Sequence, residues 1–114
     1  MEEENIYNII NLDNTYIGYA PIDVDDCQWI RSLSGDSELH FLGETYDKPK
    51  FAIGCRGLKH QEVKERSREL YNKLKNYIGE DFVIITKSLP HIVGKDESSR
   101  FIYSFNIEYQ LGGF

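Results

Sequence analysis

Residues 101–110, FIYSFNIEYQ, alternate between apolar and polar side chains, and this alternation constrains the fold more than any other feature of the chain. The apolar set is Phe101, Tyr103, Phe105, Ile107 and Tyr109, and the polar set is Ser104, Asn106, Glu108 and Gln110. Successive side chains of a strand point to opposite faces of a sheet. The pattern therefore predicts an antiparallel strand with one buried face and one wet face. The charged residues GKDESSR at 94–100 predict a loop that leads into it.

A second strong pattern occupies residues 60–78, where apolar side chains recur at helical spacing. The stripe contains Val63, Ser67, Leu70, Tyr71, Leu74, Tyr77 and Ile78. It predicts a long amphipathic helix that covers a sheet with one face. Glu62 with Arg66, and Glu69 with Lys73, are spaced for favourable ion pairs four residues apart. Gly79 is predicted to cap the C-terminus of this helix.

The sequence before this helix predicts a short helix and several strands. Ile6, Ile9 and Ile10 have helical spacing within residues 5–12. Residues 24–33 predict a strand with Cys27 and Trp29 on one side and Gln28 on the other.

A turn and two further strands are predicted from local composition. The sequence SGD at 34–36 predicts a turn, followed by a second extended stretch at 38–48 that would complete a hairpin. Residues 50–57, KFAIGCRG, alternate like a strand. Residues 81–87, DFVIITK, have the β-branched composition of a buried strand. Pro90, His91 and Gly94 are assigned to a loop.

The order of these elements predicts an α+β fold. A chain of 114 residues fits a single domain, which we assign to residues 1–114. We expect a mainly antiparallel or mixed β-sheet, with the long amphipathic helix and the short N-terminal helix packed on one face.

Charge and cysteine content narrow the function classes. The net charge is -6, and a duplex-DNA reader normally presents a basic face, so specific nucleic-acid binding is not expected. Cys27 and Cys55 each lie in an apolar segment and are expected to be reduced, buried thiols. No apolar run approaches the ~20 residues of a membrane span. We expect a soluble protein made in a reducing cytoplasm, without a membrane partner.

Catalytic and cofactor motifs are not found in the sequence. His40, His60 and His91 are scattered, so no metal site is expected. Asp23, Asp25 and Asp26 lack the pattern of a calcium loop and predict a solvated acidic loop. No catalytic residue, cofactor or metal is therefore assigned. A small enzyme that uses the carboxylates around 23–26 remains an alternative.

Three segments in order carry a resemblance: KPKFAIGCRG, the helix that follows it, and LPHIVGKDESSRFIYSFNIEYQ. Together they resemble the tail terminator, or minor capsid, family of long-tailed bacteriophages. The matching positions are Pro49, Ile53, Arg56, Gly57, Pro90, Gly94, Lys95, Asp96, Glu97, Arg100, Phe105 and Asn106. The resemblance covers roughly the C-terminal two thirds of the chain. Residues 1–45 resemble nothing that we can place.

The resemblance implies a structural role in the virion. Members of this family form a ring, commonly a homohexamer, that caps the head-proximal end of the tail tube and stops its polymerisation. The ring also supplies the surface to which the neck docks. The implied partners are further copies of the chain, the major tail tube protein and a neck or head-completion protein. DNA would pass through the ring without specific recognition.

Five residues are assigned to a subunit or tube interface as a hypothesis: Lys95, Asp96, Glu97, Arg100 and Arg56. The implied location is the junction of tail and neck, and the implied site of synthesis is the cytoplasm of a bacterial host. A head-completion or connector protein of the neck is the alternative structural role, because it would share size and composition.

Overall fold

A computed structural model describes residues 2–33 and 49–111 of the chain. In chain order the elements are α1 (Glu2–Ile10), β1 (Thr15–Ile17), β2 (Cys27–Leu33), β3 (Lys50–Gly57), α2 (His60–Leu74), β4 (Phe82–Thr86), β5 (His91–Lys95) and β6 (Phe101–Leu111). Within the described residues, two helices cover one face of a mixed sheet of six strands, so the predicted α+β class is confirmed. The predicted turn at 34–36, the extended stretch at 38–48 and His40 lie outside these residues.

The sheet is organised around β6, which has eleven residues. The strand order is β1-β2-β3-β6-β4, and β5 also pairs with β6. Only the β1–β2 pair is parallel among the described strands. β4 and β5 lie end to end along the same edge of β6. At the gap between them, the Asn106 N–H donates to the Ser88 hydroxyl at 2.9 Å, and the Lys87 N–H donates to the Asn106 carbonyl at 2.8 Å.

The predicted apolar face of β6 is confirmed and forms the centre of the core, but the prediction of a solvent-exposed opposite face is wrong in part, because Glu108 is buried and only Asn106 of the polar set is exposed. Tyr103, Phe105, Ile107 and Tyr109 are buried, and the half-buried Phe101 packs against the cluster. The helices add Ile6, Ile10, Val63, Leu70 and Leu74. Tyr71 of α2 meets Phe105 edge to face, with ring centroids 5.5 Å apart. The helix stripe therefore covers the sheet as predicted, up to Leu74.

The N-terminal helix begins and ends earlier than the predicted span of 5–12. Three glutamates occupy its first turn, where negative charge is favourable beside the unpaired N–H groups. Asn11 has φ 50, which ends the helix because this left-handed conformation is one that asparagine tolerates. The Lys73 ammonium group donates to the Ile10 carbonyl at 2.7 Å and so covers the last turn.

The predicted end of α2 is wrong. The helix ends at Leu74, because Lys75 is extended and Asn76 has φ 55. Tyr77 and Ile78, which fit the helical stripe, instead pair with β4: the Ile84 N–H donates to the Tyr77 carbonyl at 2.9 Å. Asparagine takes the left-handed position that the prediction gave to Gly79.

The predicted ion pairs along α2 are also wrong. The Arg66 guanidinium reaches across to the carbonyl of Arg56 at 2.5 Å, and Glu62 lies 3.7 Å from Lys59. Lys73 bonds α1 instead of Glu69. Long cationic side chains thus satisfy backbone carbonyls of neighbouring elements, a contact that spacing within one helix cannot predict.

Two strand assignments near the C-terminus need correction. β4 was expected to be buried, but it lies at an edge of the described sheet, and only Ile84 among its residues is fully buried. Residues 91–95 were assigned to a loop, yet they form β5, antiparallel to β6. β-branched Ile92 and Val93 favour this extended conformation.

The two faces of β2 are as predicted, and the structure shows what covers each. Gln28 shares the helix face with Ile30, and its amide donates to the Asp13 carbonyl at 2.6 Å and the Thr15 hydroxyl at 2.7 Å. On the opposite face, the Trp29 ring lies over Gly54. A Cβ at position 54 would be 2.2 Å from the ring, so only glycine permits this packing.

We expect Gly54→Ala to displace Trp29 and to lower the free energy of unfolding by about 1–3 kcal/mol, the usual cost of overpacking. Because Trp29 is the only tryptophan of the chain, its fluorescence emission should shift to longer wavelength as the ring moves into water. Ser104→Ala, on the next strand of the same face, is the matched control and should change neither quantity. Unchanged emission and stability in Gly54→Ala would contradict this packing.

Candidate interaction site

The turn between β5 and β6 is built on the side chain of Asp96. Its Oδ1 accepts the N–H groups of Ser98 and Arg100, each at 3.0 Å. The Asp96 N–H donates to the Arg100 carbonyl, and the Ser99 N–H donates to the Asp96 carbonyl, also at 3.0 Å. Ser99 takes φ 62 to close the turn. The charged loop seen in the sequence is therefore a hydrogen-bonded structure, because aspartate readily bonds nearby backbone N–H groups.

Arg100 lies below this turn and is only 4% exposed. Its Nε donates to Asp96 Oδ2 at 2.8 Å. Its Nη1 donates to the carbonyls of Ile22 at 2.6 Å and Val24 at 3.2 Å, and lies 3.5 Å from Asp25 Oδ1. A buried guanidinium is stable only where its donors are satisfied, and these acceptors supply that condition.

Arg56 of β3 makes a similar connection. Its Nη2 donates to the carbonyls of Pro21 and Val24, both at 2.6 Å, and its Cζ is 5.8 Å from the centroid of the Trp29 ring. Arg56 and Arg100 share the Val24 carbonyl. Together they hold residues 18–26 over the face of the sheet opposite the helices. We call this stretch the 18–26 segment.

The electrostatics of the turn follow from these bonds. The N–H of Arg100, its guanidinium and the N–H of Ser98 hold the pKa of Asp96 below its ordinary value of 3.8. Each of these donors favours the ionised carboxylate. The turn and the buried arginine beneath it therefore depend on Asp96 being charged.

The five residues assigned to an interface occupy two different environments. Arg56, Asp96 and Arg100 are brought together, and they bond within the chain. Lys95 and Glu97 are exposed at the rim of the turn, with the Lys95 ammonium 4.8 Å from the centroid of the Phe101 ring. Asp96 and Arg100 fix the shape of the turn, whereas Arg56 bonds the 18–26 segment. Of the five, only Lys95 and Glu97 are exposed.

Comparison with known families identifies the chain. Residues 5–112 match the family described as "Bacteriophage tail terminator protein". The chain belongs to this bacteriophage tail terminator family. No curated protein matches it. The family is a structural one of the phage tail, so the chain is a structural component of the virion. The resemblance that the sequence suggested is thereby confirmed, and the match extends into the N-terminal region that it did not cover.

The described residues of this tail terminator family member form no cluster of three or more His, Cys, Asp or Glu side chains that could hold a metal. Asp23, Asp25 and Asp26 are all exposed, and Asp25 Oδ1 also lies 3.5 Å from Arg100 Nη1. His60 contacts the Tyr103 hydroxyl at 2.6 Å and stacks on Phe101. Within residues 2–33 and 49–111, no helix is long and apolar enough to cross a membrane.

The two cysteines are free, buried thiols, as predicted. Burial raises the pKa of Cys55 to about 12, although the nearby Arg66 opposes this shift. Burial also raises the pKa of Cys27. Both groups are therefore protonated at neutral pH. Because the thiolate is the reactive form, neither is suited to nucleophilic chemistry.

Sequence reasoning missed the exposed apolar side chains at the edges of the sheet. Of the eleven large apolar residues exposed in the described part of the chain, six lie near β1 or β5. These are Ile17, Tyr19, Ile22, Leu89, Ile92 and Val93. The sequence signal for the exposed β5 edge was His91-Ile92-Val93, which has the composition of a strand but does not alternate between apolar and polar residues.

We expect Arg100→Ala to lower the free energy of unfolding by about 2–4 kcal/mol, because its loss leaves buried carbonyls and Asp96 without their partner. Arg100→Lys should fall between wild type and Arg100→Ala, since an ammonium cannot reproduce the fork of bonds. Lys95→Ala, at the other end of the same turn but exposed, should change the free energy of unfolding by less than about 0.5 kcal/mol. Urea unfolding followed by circular dichroism measures all three, and equal effects at 95 and 100 would contradict the assignment.

The lowered pKa of Asp96 predicts a pH dependence. A depressed carboxyl pKa contributes stability above the ordinary value of 3.8, and that contribution is lost as the pH falls through the lowered folded-state pKa. Wild type should therefore exceed Asp96→Asn in stability at pH 7. The difference should shrink as the pH falls from 3.8 through the lowered pKa of the folded state. Asp23→Asn, at an exposed carboxylate, should match wild type throughout. A difference at position 96 that does not vary with pH would refute the electrostatic account.

Proposed function

We propose that the chain is the subunit of a ring that caps the head-proximal end of a phage tail tube, stops its polymerisation and joins the tail to the neck. Copies of the chain would close the ring, with six subunits expected from the resemblance to terminators. The other partners would be the major tail tube protein and a neck or head-completion protein. The ring would lie at the tail–neck junction of the virion, assembled in the cytoplasm of a bacterial host.

The observation that carries this proposal is the presence of two unlike exposed apolar surfaces. We call the first the β1 surface, formed by Ile17, Tyr19 and Ile22, and the second the β5 surface, formed by Leu89, Ile92 and Val93. The strands β1 and β5 lie at opposite edges of the described sheet, and Tyr19 and Ile22 follow β1 in the 18–26 segment, over the face opposite the helices. A ring is built from heterologous contacts, in which one patch of a subunit meets a different patch of its neighbour. Two such patches on one small chain meet that requirement.

Charge supports the same role. The net charge of the chain is -6. A channel lined by acidic subunits repels DNA phosphates and does not retain the genome that passes through it.

The β5–β6 turn supplies a rigid contact point. Asp96 and Arg100 fix its shape, so Lys95 and Glu97 are presented without a large loss of conformational entropy on binding. We propose that these two exposed residues contact a neighbouring subunit or the tube. Asp96, Arg100 and Arg56 would contribute to the interface by holding that surface in place.

The alternative roles receive less support. A head-completion or connector protein would present similar size and charge, but the family match favours a terminator. A hydrolytic enzyme would need converging carboxylates, whereas Asp25 is paired with Arg100 and its acidic neighbours are exposed. The family is structural rather than enzymatic.

Native mass spectrometry and electron microscopy test the proposed assembly. We expect closed oligomers of the chain, formed alone or on tubes of the major tail tube protein, and shorter tubes when the chain is present during polymerisation. The physical reason is that a bound ring occupies the end to which the next tube subunits would add. A chain that stays monomeric and leaves tube length unchanged would rule out the proposal.

The contact assigned to the turn is tested by Lys95→Ala/Glu97→Ala. This double variant keeps the net charge and should keep the stability of wild type, but it should form fewer capped tails because both outward contacts are lost. A variant that also removes Asp96 and Arg100 is unsuitable, since it would unfold the turn.

The matched control is Lys64→Ala/Glu69→Ala, which removes one cation and one anion from the exposed face of α2. We expect it to assemble like wild type. Equal tail assembly by both double variants would show that the turn makes no contact of importance.

A further inference from the structure

β1 and β5 are strands at opposite sides of the sheet that lie at the same level along it. The pairing of neighbouring strands defines a row across five strands, running Tyr16, Trp29, Gly54, Ser104 and His91. The next row runs Thr15, Gln28, Cys55, Tyr103 and Ile92. β4, by contrast, lies farther along β6, opposite residues 107–111.

Both strands have a side that no other described strand occupies. β1 pairs only with β2 within the described residues. The Gly18 N–H donates to the Ile30 carbonyl of β2, and the Asn14 carbonyl accepts from the Gln28 N–H of β2. Because the backbone groups of successive residues in a strand point to alternate sides, the N–H and C=O groups of Thr15 and Ile17 point away from β2. In the part of the chain that the structure describes, β5 pairs only with β6. An exposed edge with apolar side chains is a template for pairing with another chain.

The directions of the strands are also compatible. β1 is parallel to β2, and the three following steps from β2 to β3, β6 and β5 are each antiparallel. β1 and β5 therefore run in opposite directions. Rotation about an axis along the strands preserves these directions, so β1 of one copy would meet β5 of the next as an antiparallel pair.

A second copy of the same chain carries the complement of each edge. The free side of β1 offers backbone groups of Thr15 and Ile17, and β5 offers a free strand side at the same level and in the opposite direction. Asp13 is exposed beside β1, and Lys95 is exposed at the end of β5. Opposite charges of this kind steer association and fix orientation. For these reasons we assign the occupant to a second copy.

We propose that the ring closes by antiparallel pairing of β1 in one subunit with β5 in the next, so that the sheet continues around the ring. This inference rests on the proposed ring. The two edges lie at the same level of the sheet. When the strands run along the ring axis, each added subunit therefore sits at the same height along that axis as its neighbour. Contacts without rise close into a ring, whereas contacts with rise form a filament. The exposed side chains of Ile17 in β1 and of Ile92 and Val93 in β5 would be buried in the same contact.

Disulfide formation tests the pairing directly. Tyr16 and His91 are the two ends of one row, so Tyr16→Cys/His91→Cys should place the new thiols of neighbouring subunits face to face. Paired residues of antiparallel strands have Cα atoms about 4.5–5.5 Å apart, which lies within the range of a disulfide. We expect a ladder of cross-linked species on a non-reducing gel, up to the subunit number of the ring. Cys27 and Cys55 can remain, because both are buried.

The matched control is Tyr16→Cys/Ile85→Cys. Ile85 pairs with Glu108 on the same strand side, four residues along β6 from Ser104, and so about 13 Å from the proposed contact. This variant and the three single cysteine variants should give no ladder beyond dimers. Circular dichroism and native mass spectrometry of the reduced proteins check that each variant folds and assembles.

The possible outcomes separate the two proposals. A ladder specific to Tyr16→Cys/His91→Cys supports the strand pairing. Closed oligomers that do not cross-link in this variant, or that cross-link equally in the control, overturn the pairing but leave the ring intact. Monomers under all conditions, also in the presence of tube protein, overturn the ring and the pairing with it.

Discussion

The backbone pairing of β6 is the constraint on which the rest of the structure depends. Its eleven residues pair with β3 on one side and with β4 and β5 on the other. Its apolar face receives both helices, and the charged turn ends at Arg100, directly before its first residue. A register slip of one residue would turn Phe105 and Tyr103 out of the core, so the alternation of side chains fixes the pairing of the whole sheet.

The face of the sheet opposite the helices is organised by two buried arginines. Arg56 and Arg100 are 8% and 4% exposed, and both bond the carbonyl of Val24. Burial of these cations is tolerated because backbone carbonyls and Asp96 accept hydrogen bonds from them, although the buried Nε of Arg56 has no partner among the described residues. The consequence is that the 18–26 segment and the β5–β6 turn form one supported surface. Its exposed side chains include apolar Tyr19 and Ile22 and charged Lys95 and Glu97.

The sequence predicted the parts of the fold that depend on local periodicity. The apolar face of β6 and the helix stripe up to Leu74 are as the pattern indicated. The end of α2 was missed because Tyr77 and Ile78 fit a helix equally well but bond β4. Tertiary pairing decides such cases, and one sequence does not contain it.

The site was predicted in composition but not in geometry. The motif that includes Lys95, Asp96, Glu97 and Arg100 pointed to the correct family, yet charge alone did not reveal that Arg100 is buried and Lys95 exposed. That division depends on carbonyls of residues 21–24, which are more than 70 positions away from Arg100. The exposed edges of β1 and β5 were likewise visible only once the strand order was known.

The central claim is that copies of this chain close a ring at the head-proximal end of the tail. Cryo-electron microscopy of assembled tails, with a map detailed enough to trace strands, tests it most directly. The account predicts one ring of this chain at that end, with β1 of each subunit beside β5 of the next. A tail whose end lacks this chain, or in which the chain is bound as separate single copies, would contradict it.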